Sequence, residues 1–206
     1  MSQSTPTLKP IYGHIKAEFD VVIVGSGPAG LSAASRAQEL GIAYVLLEAE
    51  DHASDTIYKY QKGKHVMAEP SILPLRSGMP FGPGKREAIL GTWDEQLQAQ
   101  HIHIQYRKKV TGIQGMKEGG LFELLCEDST RLRSRNVILA IGLQGNIRKM
   151  GVPGQDLPQV QYTLSNPDEF KNETIVVLGA GNAGVENALA LRGNNRVILG
   201  NRGGEF

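Results

Sequence analysis

The sequence predicts an α/β protein: two strand–glycine turn–helix–strand units with a three-stranded antiparallel meander between them. Two glycine-rich hexapeptides, Gly25-Ser26-Gly27-Pro28-Ala29-Gly30 and Gly179-Ala180-Gly181-Asn182-Ala183-Gly184, each follow an apolar β-branched run and precede an Ala/Leu-rich segment. Between them, short apolar runs are separated by Gly119-Gly120 and Asp128-Ser129, residue pairs that favour tight hairpin turns.

The elements follow in order. After a polar leader, residues 1–18, the run Val21 to Val24 reads as a strand buried on both faces. Leu31 to Leu40 has helical composition and stops at Gly41, a residue tolerant of positive φ. Ala43 to Leu47 is the next strand, and parallel pairing through a helix is the usual outcome of this alternation. From Asp51 to Lys85 the chain is polar and punctuated by Pro and Gly, longer than a plain connector. Ile89, Trp93 and Leu97 recur at fourfold spacing and predict a helix over 85–100. Ile102, Ile104 and Tyr106 alternate with polar residues as in a strand, with His101 and His103 on its other face. The meander strands are expected at Val110 to Met116, Leu121 to Cys126 and Leu132 to Arg135, and Val137 to Ile141 reads as a separate buried strand. Pro153, Gly154 and Pro158 mark a boundary, so the domains are expected at 19–150 and 151–206.

Bulk composition excludes several function classes. With 22 basic and 21 acidic residues interspersed, there is no single-sign field to attract nucleic acid or an acidic membrane surface. No apolar run reaches bilayer-spanning length and residues 1–20 lack the pattern of a secretory signal, so the cytoplasm is the expected location. The single cysteine, Cys126, excludes a disulfide framework or a dithiol pair within these residues, and in an alternating apolar strand it reads as a small buried hydrophobe. The five histidines show no partners at metal-ligand spacing.

The two hexapeptides carry the chemistry. In the first, Gly25 makes the tight turn, Gly27 lets the backbone approach a pyrophosphate, and Gly30 permits close helix–strand packing. Free N–H groups at the helix start then meet the negative charge, with Pro28 and Ala29 in the first turn. Glu48, followed by Ala49 at the end of the second strand, is placed to accept from a ribose 2′-hydroxyl. In the second unit Gly179, Gly181 and Gly184 repeat the pattern, with Asn182 and Ala183 at the helix start. The offset that superposes Gly25 on Gly179 carries Glu48 onto Arg202. A carboxylate suits a free 2′-hydroxyl, whereas a guanidinium pairs with a 2′-phosphate, so the second site is expected to take NADPH, with NADH as the alternative. Arg202 as a solvated surface residue stays open as the other reading.

The order of fingerprint, long polar segment, meander, Asn136-Val-Ile-Leu-Ala-Ile-Gly142 and second fingerprint resembles the two-dinucleotide-binding-domain flavoproteins, the pyridine nucleotide-disulfide oxidoreductase superfamily. Within it the chain is most similar to the thioredoxin reductase-like group, near the bacillithiol disulfide reductases, whose loop resembles Asp55-Thr-Ile-Tyr-Lys-Tyr60. The resemblance implies a Rossmann-like FAD-binding domain followed by the start of a second Rossmann-like NAD(P)-binding domain. It implies hydride transfer from NADPH to flavin and onward to a small-molecule disulfide or a redox protein. By the same resemblance, the main chain of Val110 meets adenine, Ala140 to Gly142 pass the flavin, and Lys59 and Tyr60 lie near the isoalloxazine or serve packing. Two departures limit the carry-over. No CxxC stands before the second fingerprint, and the late Gly-Asp segment of relatives does not follow, so a C-terminally truncated chain with a half-built second site is expected. Alternatives are a non-catalytic dinucleotide-binding fragment and a ferredoxin-linked or iron–sulfur-linked NADPH reductase. Dimers are common among such proteins.

Overall fold

A computed structural model describes residues 17–67, 75–116, 120–143, 149–201 and 203. Contacts divide the chain into two compact units. One takes in Met1–Asp55, Pro74–Pro80 and Trp93–Leu143, the other Thr56–Leu73, Phe81–Thr92 and Gln144–Phe206.

The first unit is built on a βαβ turn. β1 (Phe19–Val24) leads through Gly25 into α1 (Pro28–Glu39), and β2 (Tyr44–Leu47) lies parallel to β1, with Val21 opposite Tyr44 and Val24 opposite Leu47. α1 places Leu31 and Ala34, both fully buried, on its inner face against these strands. It ends where Gly41, at φ +64, turns the chain and Ile42 N–H returns to Ala37 O at 3.0 Å.

In the second unit α2 (Asp55–Tyr58) is a single turn, largely within this unit, and β3 (His65–Val66) pairs antiparallel with β4 (Gly84–Lys85). α3 (Arg86–Ala99) matches the expected helix, and Ile89, Trp93 and Leu97 are all buried. Back in the first unit, β5 (Ile104–Gln105) is shorter than the alternation suggested and pairs parallel with β2. His101 therefore does not sit on a strand: it adopts φ +53 in the turn that ends α3, its N–H bonded to Gln98 O, while Ile102 N–H returns to Leu97 O. The helix stop, not strand periodicity, governs that stretch.

The meander consists of β6 (Val110–Gly115), β7 (Phe122–Cys126) and β8 (Arg131–Leu139), antiparallel in succession. The break expected after Arg135 does not occur. β8 is one nine-residue strand whose first half pairs with β7 up to Ser134 and whose second half pairs parallel with β1 through Val24–Leu139. The exchange of partners is fixed by polar groups: Ser134 Oγ donates to Asn136 O, and Asn136 Nδ2 donates to Asp20 O at 3.0 Å. One six-stranded sheet results, in the order β5-β2-β1-β8-β7-β6. The tip of β8 is also not buried as expected, Leu139 being 60% exposed. One face of the sheet packs Val22, Val24, Val45, Leu47, Leu124, Cys126 and Leu132 together, with Phe19, Val110 and Val137 at the margin, and on the opposite face Ile23 and Leu46 are also fully buried.

The second unit closes with a second βαβ turn. After a short 3-10 turn at Pro167–Glu169, β9 (Thr174–Leu178), α4 (Asn182–Leu191) and β10 (Arg196–Gly200) follow, and β10 pairs parallel with β9 in full register.

Leu124 is fully buried at the centre of the sheet core. Leu124→Ala is expected to destabilise the first unit by about 3 kcal/mol, the usual cost of such a cavity, read from urea denaturation followed by tryptophan fluorescence.

Candidate functional site

The first glycine turn is fixed by steric exclusion. Gly25 adopts φ +99, and a Cβ on it would lie 2.5 Å from Ala140 O; a Cβ on Gly30 would lie 1.8 Å from Gly25 O. Only glycine fits at both positions. Gly27 differs: its backbone is extended, and no atom stands within 4 Å of where its Cβ would be. Gly27 caps α1 without a side-chain hydrogen bond, and Pro28, which has no N–H, is the first helical residue. The first helical hydrogen bond runs from Leu31 N–H to Gly27 O, so the N–H groups of Ala29 and Gly30 lie ahead of the ladder. An open glycine face over free amides at the positive end of a helix is a cradle for phosphate. Pro28 and Ala29 are exposed there.

Glu48 stands beside this turn and is 8% exposed. Its Oε2 accepts from Ser26 N–H at 2.9 Å and from Ser26 Oγ at 2.5 Å, and its Oε1 accepts from Glu50 N–H at 3.0 Å. Ser26 O in turn accepts from Ser54 N–H and Ser54 Oγ, where Ser54 holds φ +60. The sequence singled out Ser26 and Glu48 separately; their contact spans 22 positions and has no local signal. Ala49 is exposed next to the acid. Lys108 N–H donates to Glu48 O at 2.7 Å, which brings the chain entering Val110 alongside the acid, while the Val110 side chain packs on the sheet core. Ala140 N–H donates to Val24 O, and Gly142, at φ +64, follows as the chain leaves the sheet. Gly25, Ser26, Gly30, Glu48 and Ala140 are thus brought together.

The second turn repeats the first closely. Gly179 adopts φ +108 against +99 at Gly25, Gly181 is extended and open like Gly27, and a Cβ on Gly184 would meet Gly179 O at 1.8 Å. Val185 N–H makes the first α4 bond to Gly181 O, which leaves Ala183 and Gly184 N–H ahead of the ladder; Asn182 and Ala183 are exposed. Arg202 lies outside the described residues. A pairing that sequence reasoning missed sits in this unit: Lys64 Nζ, 5.3 Å from the Tyr60 ring centroid, is 2.5 Å from Glu186 Oε2 on α4. It ties the Tyr60 segment to the helix of the second turn across 122 positions. Lys59 is exposed.

Two titratable groups bear on the chemistry. Burial pushes the Cys126 thiol up, away from the thiolate that a nucleophile requires. Partial burial pulls the His52 imidazole down, but hydrogen bonds to Asp51 and Asp55 at 2.9 and 3.0 Å outweigh it, and the net shift is upward from 6.5. Among the described residues no group of three His, Cys, Asp or Glu side chains is placed to hold a metal ion, and no helix is long and apolar enough to cross a membrane.

Residues 22–205 match the family model described as pyridine nucleotide-disulphide oxidoreductase. The chain is 30% identical over 172 residues to a ferredoxin–NADP reductase of Ignicoccus hospitalis, covering 84% of this chain and 52% of that protein. It is similar in fold to the bacillithiol disulfide reductase of Staphylococcus aureus, with a TM-score of 0.81 and 22% identity, covering 93% of this chain and 59% of that one. A thioredoxin reductase of Lactococcus lactis aligns with a TM-score of 0.68 and 24% identity, over 92% of this chain and 58% of the other. The chain thus spans about half the length of the curated relative and under two thirds of these structures.

Gly30→Ala is expected to cost at least about 3 kcal/mol of stability, because its methyl would meet a backbone carbonyl, whereas Gly27→Ala should stay within about 1 kcal/mol; thermal melts of both variants check the contrast. His52 contributes its full stabilisation below its unfolded pKa and loses it as pH rises through the higher folded value. His52→Gln is therefore expected to lower Tm at pH 6 and to converge on the wild type by pH 9, read from melts across that range.

Proposed function

We propose, since the chain belongs to the pyridine nucleotide-disulphide oxidoreductase family, that its first glycine turn holds FAD and its second holds NADPH. In this reading residues 19–150 form the FAD domain and 151–206 the first part of the nicotinamide domain. One observation carries it: the same open, amide-lined helix start occurs twice, and the first copy has a buried carboxylate hydrogen-bonded beside it.

The residues divide the work by chemistry. The cradles of Gly25 to Gly30 and Gly179 to Gly184 take the two pyrophosphates, with their amides and helix dipoles facing the charge. Glu48, with Ala49 beside it, accepts from the adenosine ribose at the first site, and the main chain at Val110 borders the adenine. Ala140 and Gly142 lie where the chain passes the flavin. At the second site Asn182 and Ala183 border the phosphates, and Arg202 pairs with the 2′-phosphate that distinguishes NADPH from NADH. Bound together, the cofactors supply the redox chemistry: a hydride passes from NADPH to the flavin, and two electrons pass on to an acceptor. The chain contributes position and electrostatics, so no acid, base or nucleophile is assigned.

The acceptor we favour is a disulfide or a redox protein outside these residues, because Cys126 is buried and the sequence holds no second cysteine to form a relay with it. Ferredoxin is the second reading, favoured by the name of the relative from Ignicoccus hospitalis. The reading extends to a cytoplasmic location, which the interspersed basic and acidic residues support.

Titration of the chain with FAD, followed by anaerobic addition of NADPH or NADH, tests the assignment. A yellow protein that bleaches faster with NADPH is the expected result, and Gly27→Ala should weaken FAD by at least about tenfold without unfolding the chain. Arg202→Glu should shift the NADPH-to-NADH preference by roughly 10- to 100-fold towards NADH. A chain that binds FAD but never bleaches is a dinucleotide-binding module without turnover, and equal rates with both nucleotides remove the role of Arg202. Oxidised bacillithiol and ferredoxin, offered in turn to the reduced protein, separate the two acceptor readings.

A further inference from the structure

Ser26 stands between the first two glycines of the turn, and its side chain is fully buried and engaged with the acid next to the phosphate cradle. An ionised carboxylate offers about four lone-pair positions. On Glu48 three of these are filled by donors the fold holds in place: Ser26 N–H and Ser26 Oγ on Oε2, and Glu50 N–H on Oε1. Oε2 is thus saturated, and one position on Oε1 is left. The hydroxyl that fills Oε2 has little freedom to turn away, because the Ser26 peptide is pinned by Ser54, whose N–H and Oγ both donate to Ser26 O at 3.1 and 3.2 Å. Removing the hydroxyl would reopen a position on Oε2 and release the carboxylate to rotate.

We infer that Ser26 is a positioning residue that restricts Glu48 to one ribose hydroxyl, so that the first site reads one of the two hydroxyls of the adenosine ribose and ignores the other. The inference rests on the reading of the first turn as an FAD site and goes beyond it. A ribose diol normally presents two donors, and a carboxylate with both oxygens free accepts from both. A carboxylate with one oxygen already filled cannot do so. The position of Ser26 inside the turn means that the same residue shapes the phosphate cradle and sets the selectivity of the acid.

The experiment measures binding of three probes by flavin fluorescence quenching on the full chain: FAD, FAD built on 2′-deoxyadenosine, and FAD built on 3′-deoxyadenosine. In the wild type one deoxy analogue should bind roughly 10- to 100-fold more weakly than FAD, as expected for loss of a hydrogen bond to a charged group, and the other should stay within about threefold. In Ser26→Ala the difference between the two analogues should shrink to within about threefold. Ser26→Cys keeps the shape with a weaker donor and should behave like Ser26→Ala, which preserves the test if the smaller side chain impairs folding. A merely structural role would weaken all three probes equally and leave the ratio of the analogues unchanged; that result overturns the inference. Equal weakening of both analogues in the wild type also overturns it, because Glu48 would then read both hydroxyls. Failure of the wild type to bind FAD at all removes the FAD reading itself and the inference with it, an outcome distinct from the other two.

Discussion

The closest constraint in the molecule is the approach of a helix to its own preceding turn. At Gly30 and again at Gly184 there is no room for a methyl group, because the carbonyl of the first glycine in each motif sits where it would be. That contact lets the helix start directly over the end of the strand. Gly27 and Gly181, the extended residues that cap these helices, have open space where a Cβ would stand. In the first motif Gly25 and Gly30 are both required by contact with the protein's own atoms; in the second Gly184 is required in that way and Gly179 by its positive φ, while in each the middle glycine is required only by something that approaches from outside. This division separates a fold requirement from a binding requirement within six residues.

Much of this was legible in the sequence, because the signals are local. The β-branched run, the spaced glycines and the Ala/Leu helix are contiguous, and the structure reproduces them twice with backbone angles that differ by about 10° at the first glycine. The helix over Arg86–Ala99 was equally readable from Ile89, Trp93 and Leu97. What was not readable lies at long range. Asn136 reads as a break between a meander strand that ends at Arg135 and a separate strand from Val137, yet it lies within β8. Its polar groups are consumed by pairing: Arg133 faces Glu123 across the meander and Asn136 holds Asp20. His101 and His103 alternate with apolar residues, but a helix stop at positive φ overrides that period.

The acid site shows the same limit. Glu48 was identifiable from its place at the end of β2, and Ser26 from its place between glycines. Nothing in either neighbourhood reveals that the serine hydroxyl ends on the carboxylate, or that Ser54 fastens the serine from the other side. The three residues come from three separate segments and meet only because β1 and β2 are parallel and the chain after β2 folds back over the turn. Position-specific chemistry of this kind depends on register, which a single sequence does not display.

β8 has a bearing on how the protein is made. Its pairing with β1 joins residues such as Asp20 and Asn136, 116 positions apart, so the centre of the sheet is also its most distant partnership along the chain. At ribosomal rates β1 is synthesised roughly 6–23 s before its neighbour. During that interval an apolar, β-branched segment has β2 on one side and an unfilled edge on the other, the kind of edge that recruits foreign strands. Nascent-chain biology, rather than the finished structure, is where the demand for a chaperone would be greatest.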